Sequence, residues 1–302
     1  MNRNARFTRN GAGRRLVVGV PYLWMVVFFL LPFLILLRIS FSESRIGLPP
    51  YTEVFEWLGG LSFRVLGSFS NYQFLFTDDL YLSAYANSVK IAAISTALCL
   101  LIGYPMALGI SRVRGQARTL LLMLVILPFW TSFLIRVYAW IGLLKSEGLI
   151  NGLLLWAGII DSPLALLYSP FAVYLGITYS YLPFMILPLY ASLERMDGSL
   201  LEAAADLGAR PMAVFLNVTL PLSWPGVIAG SMLVFIPAIG EFVVPELLGG
   251  TSTLMIGKVL WSEFFLNRDW PLASAVAIIM LIILVLPLVW WQRHQQQSEG
   301  DK

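Results

Sequence analysis

Long apolar runs separated by shorter polar segments dominate the chain. Six runs are close to or longer than the roughly 20 residues that an α-helix needs to cross a bilayer. They are 16–39, 84–110, 119–144, 165–190, 227–250 and 272–292. The fifth run is the least regular, because Pro237, Gly240, Glu241 and Pro245 interrupt it. The pattern predicts an all-α membrane protein with six transmembrane helices.

One polar segment between the fourth and fifth runs carries its own helix signals. Ser199 and Glu202 match the S-x-x-E pattern of a capping box, which predicts the start of a helix. Gly208 suits the end of that helix, and Pro211 suits the first turn of a second one. The segment therefore predicts a helix, a tight turn and another helix outside the membrane.

Composition supports the membrane assignment and argues against a disulfide-stabilised protein, a Cys/His metalloprotein and a nucleic-acid-binding protein. Charged residues make up 12% of the chain and apolar residues 58%, whereas soluble chains carry about 25% charge. Cys99 is the only cysteine and His294 the only histidine, so an intrachain disulfide and a Cys/His metal site are both excluded. The modest net charge of +3 is typical of basic membrane loops and does not indicate nucleic-acid binding.

Basic residues set the expected orientation, because loops rich in Lys and Arg stay in the cytoplasm. Arginines cluster in the N-terminal arm, between the second and third runs, and between the fourth and fifth. Both termini are therefore expected inside. The expected organisation is a cytoplasmic arm at 1–15, a first, uncleaved span at 16–39, an external loop at 40–83, a core at 84–292 with a cytoplasmic loop at about 191–226, and a cytoplasmic tail at 293–302.

Motifs for energy conversion and catalysis are missing from the sequence. Gly257-Lys258 is followed by Val259 and lacks the upstream glycine of a P-loop. We find no G-x-S-x-G, H-E-x-x-H or EF-hand pattern either. The chain is thus predicted not to be an enzyme and to bind no cofactor. It is expected to move a solute, or to help move it, without an ATPase motif of its own.

The polar segment and the second apolar run resemble a known family. Glu202-Ala203-Ala204, then Gly208, then Val218, Thr219 and Leu220-Pro221 resemble the EAA loop of binding-protein-dependent ABC importer permeases, the MetI-like family. That family usually has Ile where Val218 stands. Asn87-Ser88 and Gly103-Tyr104-Pro105 are similar to the opening of the same permease domain. The resemblance implies a type I ABC importer permease fold over about residues 84–292.

Three further stretches resemble one branch of the family, the first permease subunit of polyamine importers. They are 127–136, 236–242 and 267–271. This resemblance implies a multi-pass protein of the bacterial inner membrane that imports a small cation, with putrescine as the expected cargo. It also implies a second permease subunit, two ATPase subunits that use ATP, and an external polyamine-binding protein. An importer permease for a different solute, or a secondary transporter acting alone, are the alternatives.

The resemblance assigns ATPase coupling to the polar segment. The residues that match the family pattern, with the predicted cap, are Ser199, Glu202, Ala203, Ala204, Gly208, Leu220 and Pro221. Leu200, Leu201, Ala204 and Leu207 recur at helical spacing and predict an apolar stripe for docking. Leu220-Pro221 is expected to end the docking element. A plain helix lying on the bilayer surface is the alternative.

Glu241 is the main candidate for the substrate pathway. A charge at mid-bilayer is costly, so its side chain is expected to face a cavity or a partner. Polyamines are cations that carboxylates and aromatic rings attract; the candidates are Glu241, Glu246, Trp130, Tyr138 and Tyr181. The other possibility for Glu241 is an ion pair with Arg136, or with the second permease, that holds helices together. Arg136 is otherwise expected to reach the headgroups.

Overall fold

The structure, a computed structural model, describes residues 11–57, 63–251 and 253–300 and is almost entirely helical. The α-helices are α1 (Gly11–Met25), α2 (Leu31–Ser40), α3 (Ser70–Thr77), α4 (Asp79–Arg112), α5 (Gln116–Ile126), α6 (Phe133–Leu144), α7 (Leu149–Trp156), α8 (Pro170–Glu194), α9 (Gly198–Asp206), α10 (Pro211–Val214), α11 (Leu220–Ile239), α12 (Val243–Leu248), α13 (Ile256–Trp261) and α14 (Trp270–Gly300). Two short strands, β1 (Phe55–Trp57) and β2 (Phe63–Val65), pair antiparallel within the predicted external loop. The predicted helical class is confirmed, and the strand pair was not predicted.

Four continuous helical segments are long and apolar enough to cross a membrane. They are Val17–Ser40, Asp79–Arg112, Pro170–Glu194 and Pro211–Ile239. A fifth crossing arises if the bent pair Gln116–Trp130 and Phe133–Trp156 is one broken span, and α14 contains a shorter apolar stretch, Trp270–Leu286. Residues 1–10 of the predicted arm and 301–302 of the predicted tail lie outside the described residues.

The third predicted run, 119–144, is not one straight helix. α5 continues into a 3-10 turn, Leu127–Trp130, and the chain then becomes extended at Thr131 before α6 begins. The two helical segments meet at an angle of 89°. Pro128 accounts for the interruption, because its ring cannot continue the α-helical hydrogen-bond ladder.

The fifth predicted run begins much earlier than expected, and this overturns the predicted role of Leu220-Pro221. A single helical segment runs from Pro211 to Ile239 through five π-helical residues, Phe215–Thr219. Pro221 lies at the start of α11, where the wider turns before it accommodate its missing N–H. Leu220-Pro221 therefore joins the polar segment to the membrane helix and does not end it.

Residues Asp78–Trp261 form one compact unit built on α4, α8 and α11. Gly226 and Gly230 of α11 lie directly against α8: a Cβ on Gly226 would stand 2.9 Å from the Pro188 carbonyl oxygen, and one on Gly230 would stand 2.8 Å from the Met185 sulfur. The Tyr104 hydroxyl of α4 is 2.7 Å from Ser223 Oγ of α11. The G-x-x-x-G spacing and the tyrosine thus serve close packing of the three helices.

Ser88, in the Asn87-Ser88 motif, connects α4 to α13. Its Oγ accepts a hydrogen bond of 2.8 Å from the backbone N–H of Ile256 in a buried position. This N–H opens α13 and has no helical partner of its own. Gly257 follows and lies so near the Gly240 carbonyl oxygen that a Cβ would approach it to 2.4 Å. The start of α13 is therefore fixed against both α4 and the turn at residue 240.

Replacing Ser88 by alanine is expected to leave the Ile256 N–H buried and unpaired. The free energy of unfolding should fall by about 1–3 kcal/mol. Thermal unfolding of the purified protein in detergent measures this change. Ser83→Ala is the matched control, because Ser83 is an exposed serine of the same helix whose hydroxyl only bonds to its own turn. Equal unfolding temperatures for the two variants would contradict the role given to Ser88.

Residues 11–77 and 262–300 form the other compact unit, in which α14 packs against α2 and α3. The Ser40 Oγ is 2.7 Å from the Tyr72 hydroxyl, and the Asn71 side-chain amide donates to the carbonyl oxygens of Ser40 and Ser42. These bonds connect the end of the first span to α3. The first span itself, α1 to α2, agrees with the predicted run 16–39.

Candidate functional site

The polar segment between α8 and α11 folds as two helices joined by a tight turn, as predicted, but its first helix begins differently. Asp197 is the N-cap of α9, and its Oδ1 accepts a hydrogen bond of 3.0 Å from the Ser199 N–H. That bond lowers the pKa of the Asp197 carboxyl below its ordinary value, so the cap is present at neutral pH and is lost only as the pH falls through the lowered pKa. The predicted cap, Ser199 with Glu202, is therefore wrong by two residues.

Gly208 closes α9 in the way the sequence indicates. Its φ is +79°, a conformation that favours glycine. The Gly208 N–H donates to the Ala205 carbonyl oxygen at 2.9 Å, and the Ala209 N–H donates to that of Ala204 at 3.1 Å. These two hydrogen bonds together form a Schellman motif. Pro211 then opens α10 at its first position, so the turn is fixed at both ends.

The predicted apolar stripe on α9 divides into two faces. Leu201 and Ala204 are half-buried against the rest of the unit, whereas Leu200 is 47% exposed and Leu207 is 89% exposed. Met212 and Leu216, farther along, are also exposed. We call Leu200, Leu207, Met212 and Leu216 the exposed loop residues. One face thus fixes the segment to the protein, and the other leaves apolar side chains free to contact a partner.

Glu202 projects from the segment without an internal role. Its side chain is exposed, and among the described residues it has no ion-pair or hydrogen-bond partner. Ala203, beside it, is also exposed. Since Asp197 already caps α9, the Glu202 carboxylate is available to a positively charged group outside the chain.

Glu241 lies where α11 ends at Ile239 and α12 begins at Val243, in the interruption expected between the two prolines. Its side chain is buried. Oε1 accepts from the Val243 and Val244 N–H groups at 3.1 and 3.4 Å, and Oε2 accepts from the Tyr181 hydroxyl at 2.5 Å. The carboxylate therefore fixes the first turn of α12 and joins it to α8, while no cation among the described residues neutralises its charge.

Arg136 does not pair with Glu241 in the part of the chain that the structure describes. Its guanidinium lies 5.1 Å from the ring centre of Phe129 and 5.6 Å from that of Phe133. Two of its nitrogens, Nε and Nη1, are buried without a hydrogen-bond partner. The alternative of an ion pair with Arg136 within the chain is thus contradicted, and burial of these nitrogens also argues against the expected extension of Arg136 to the headgroups.

A chain of aromatic contacts nevertheless runs from Arg136 to Glu241. Phe129 packs edge-on against Phe184 with ring centres 5.1 Å apart, and Phe184 lies 6.1 Å from Tyr181. Tyr181 in turn holds Glu241. We call Arg136, Phe129, Phe184, Tyr181 and Glu241 the Glu241 cluster. The sequence indicated only its two ends and Tyr181, because the contact of Phe129, in the 3-10 turn, with Phe184 of α8 depends on the bend after Pro128.

The other predicted pathway residues lie apart from this cluster. Glu246 forms an ion pair of 2.8 Å with Lys258, so its charge is already matched. Trp130 and Tyr138 are exposed and make no ring contact or hydrogen bond with Tyr181 or Glu241. Lys258 was not predicted, since residues twelve positions apart in different short helices give no pairing signal in sequence.

Comparison with known proteins decides the family. Residues 99–299 match the sequence family described as binding-protein-dependent transport system inner membrane component. The chain belongs to this family. The match covers the α9–α10 segment and the Glu241 cluster. It confirms the resemblance on which the permease interpretation was based.

Curated relatives extend the likeness over nearly the whole chain. The spermidine/putrescine transport system permease protein PotB of Haemophilus influenzae is 41% identical over 94% of this chain and 94% of its own length. PotB of Escherichia coli is 40% identical over 89% of this chain and 93% of its own length. The molybdenum transport system permease protein ModB of Mycobacterium bovis is 37% identical over 67% of this chain and 74% of its own length.

Solved structures support the fold of this family member. A bacterial ABC transporter involved in alginate import has a chain with a TM-score of 0.67, 18% identity, and coverage of 94% of this chain and 96% of that one. The alginate transporter in complex with an alginate-bound periplasmic protein gives a TM-score of 0.66 at 19% identity, covering 92% and 93%. The fold is therefore that of an ABC importer permease.

Proposed function

We propose that this chain is the permease subunit of an ATP-driven importer for polyamines, with putrescine as the favoured cargo. It forms half of the translocation pathway and pairs with a second permease subunit. Two ATPase subunits drive it, and an external binding protein delivers the cation. The observation that carries the proposal is about 40% identity to spermidine/putrescine permeases over nearly the whole chain.

The proposed topology has six crossings with both termini in the cytoplasm of a bacterial cell. The four continuous spans, the bent pair and the apolar stretch of α14 supply the crossings. The arginines at 112, 114, 118, 195 and 210 then lie on the cytoplasmic face, in agreement with the positive-inside rule. The α9–α10 segment lies on that same face, where an ATPase subunit can reach it.

Coupling is proposed to run through the exposed loop residues and Glu202. The Asp197 cap and the Gly208 turn make the segment rigid, and a rigid segment transmits the movement of a docked partner. Leu200 and Leu207 supply apolar contact area, and Glu202 supplies a charge for a basic residue of the ATPase. α10 continues without a break into α11, which offers a direct path into the membrane.

The Glu241 cluster is proposed to attract the cation within the membrane. No cation among the described residues forms an ion pair with its carboxylate. The Tyr181 ring lies against the carboxylate, and the Phe184 ring lies next to Tyr181. Glu246 contributes less, because Lys258 already balances it. Trp130 and Tyr138 are exposed on this chain and remain candidates for a cavity shared with the second permease subunit.

Replacing Glu241 by glutamine tests this part of the proposal. The amide oxygen can still accept the Val243 and Val244 N–H bonds, so the fold is expected to persist while the charge is lost. The apparent affinity for putrescine in uptake should fall about tenfold, equivalent to about 1.4 kcal/mol. Glu246→Gln is the matched control and should have a smaller effect. Unchanged uptake and selectivity in Glu241→Gln would show that the residue is structural only.

A competition experiment tests the cargo. The reconstituted importer is given labelled putrescine with an excess of unlabelled putrescine, spermidine, molybdate or alginate oligosaccharide. Polyamines should compete, and the two anions should not. Competition by molybdate would instead favour the second candidate, a permease for another solute, which the likeness to the molybdenum permease supports.

A further inference from the structure

Three neighbouring cavities, basic at one end and apolar at the other, lie along α4 towards the start of α9, and we call them together the groove. The basic end is a cavity of about 380 Å³ whose charged lining residues are Arg112, Arg114, Arg118 and Glu194. Three positive charges against one negative charge leave the cavity basic. Arg118 is partly occupied, since it forms an ion pair with Glu194 and donates to the Val113 carbonyl oxygen. Arg112 and Arg114 are exposed and have no such partner among the described residues.

The apolar end is a cavity of about 470 Å³ on the surface of α4 and α11. Leu101, Tyr104, Pro105, Phe215, Leu220 and Trp224 contribute to its lining. Leu101 and Trp224 are exposed within this chain. No charged side chain lines this end, so it offers a site to a hydrocarbon chain and none to an ion.

A third cavity, of about 200 Å³, lies between the two ends. It shares Arg112, Leu201 and Thr219 with the basic cavity, and Phe215 with the apolar one. From Ala97 at the apolar end to Arg112 at the basic end, α4 rises by about 22 Å at 1.5 Å per residue. One leaflet with its headgroups is about 20–22 Å thick. The groove therefore has the length and the polarity of one membrane phospholipid.

We propose that this groove binds an anionic phospholipid, with its phosphate on Arg112 and Arg114 and one acyl chain in the apolar cavity. Charge selects an anionic headgroup, and the apolar end distinguishes a lipid from a free phosphate ion. Gly198 and Leu201 of α9 also line the basic cavity, so the lipid contacts the helix that carries Leu200 and Glu202.

The test is native mass spectrometry of the assembled complex in detergent, with phosphatidylglycerol, phosphatidylcholine of the same acyl chains, and glycerol phosphate as probes. The wild type should retain phosphatidylglycerol in preference to the other two. In Arg112→Gln/Arg114→Gln, the affinity for phosphatidylglycerol should fall roughly twenty-fivefold, since each basic residue contributes about a factor of five. Arg195→Gln, on the same face but outside the groove, should retain wild-type affinity.

A second variant tests the apolar end separately. Ala97→Phe fills the cavity without altering charge, and it should lower the affinity for the lipid at least fivefold. Equal retention of phosphatidylcholine, or glycerol phosphate binding as tight as the lipid, would overturn the proposal. It would also be overturned if Ala97→Phe weakened association with the second permease subunit and left lipid retention unchanged, because the groove would then hold a helix of that subunit.

Discussion

Replacing Leu200 and Leu207 together by glutamine is expected to separate the ATPase subunits from the membrane subunit. Burying a leucine side chain contributes about 1.5 kcal/mol or more, so losing two such contacts should weaken the association about a hundredfold. ATP-driven uptake should fall to background at subunit concentrations where the wild type is saturated. Copurification of the ATPase subunits with the detergent-solubilised permease measures the association directly.

The control for this variant must remove the same apolar surface elsewhere. Leu153 and Ile159 are exposed, in α7 and in the turn that follows it, away from the α9–α10 segment. Leu153→Gln/Ile159→Gln should leave copurification unchanged. The fold of the Leu200 and Leu207 variant should also survive, because both side chains project outward. Normal copurification with defective uptake would mean that the segment does not dock the ATPase.

Replacing Gly226 by alanine is expected to destabilise the whole Asp78–Trp261 unit. The new Cβ would stand 2.6 Å from the Ser192 Cβ and 2.9 Å from the Pro188 carbonyl oxygen. Since α8 and α11 must separate to admit it, the free energy of unfolding should fall by about 1–3 kcal/mol. Thermal unfolding in detergent should show a lower midpoint, and expression in membranes should fall with it.

Gly109→Ala makes the same chemical change with the opposite expected sign. Gly109 lies within α4, and a Cβ there would meet nothing within 4 Å. Alanine favours a helix over glycine by about 0.5–1 kcal/mol, so this variant should be slightly more stable than the wild type. If both substitutions shifted the midpoint equally, helix propensity alone would explain the two shifts. The close contact of α11 with α8 would then contribute nothing measurable to the free energy of unfolding.

Hydrophobic periodicity was enough to predict the membrane class, the first span, and helices near the second and fourth runs. It placed other boundaries poorly, because proline acts differently by context. Pro128 accompanies a bend of 89°, whereas Pro221 lies in a continuous helix behind five π-helical residues. A sequence pattern does not distinguish these outcomes, since each depends on whether the neighbouring turns widen to accommodate the proline ring.

In the candidate site, features that depend on neighbouring residues were predicted more accurately than contacts between distant residues. Gly208 and Pro211 were correctly predicted because a turn depends on its own residues. The N-cap was misplaced because Asp197 and Ser199 are both good caps two positions apart, and the structure uses the aspartate. The partners of Glu241 and Glu246 were missed because Tyr181 and Lys258 reach them only after the helices pack.

This chain is expected to move polyamines only when a separate ATPase drives it. The most direct measurement is uptake of labelled putrescine and spermidine into liposomes that contain the complete importer and its external binding protein. With ATP inside, labelled polyamine should accumulate against a gradient, and an ATPase subunit unable to hydrolyse ATP should reduce uptake to background. Equal uptake with the active and the inactive ATPase would instead show that the chain transports its solute without an ATPase.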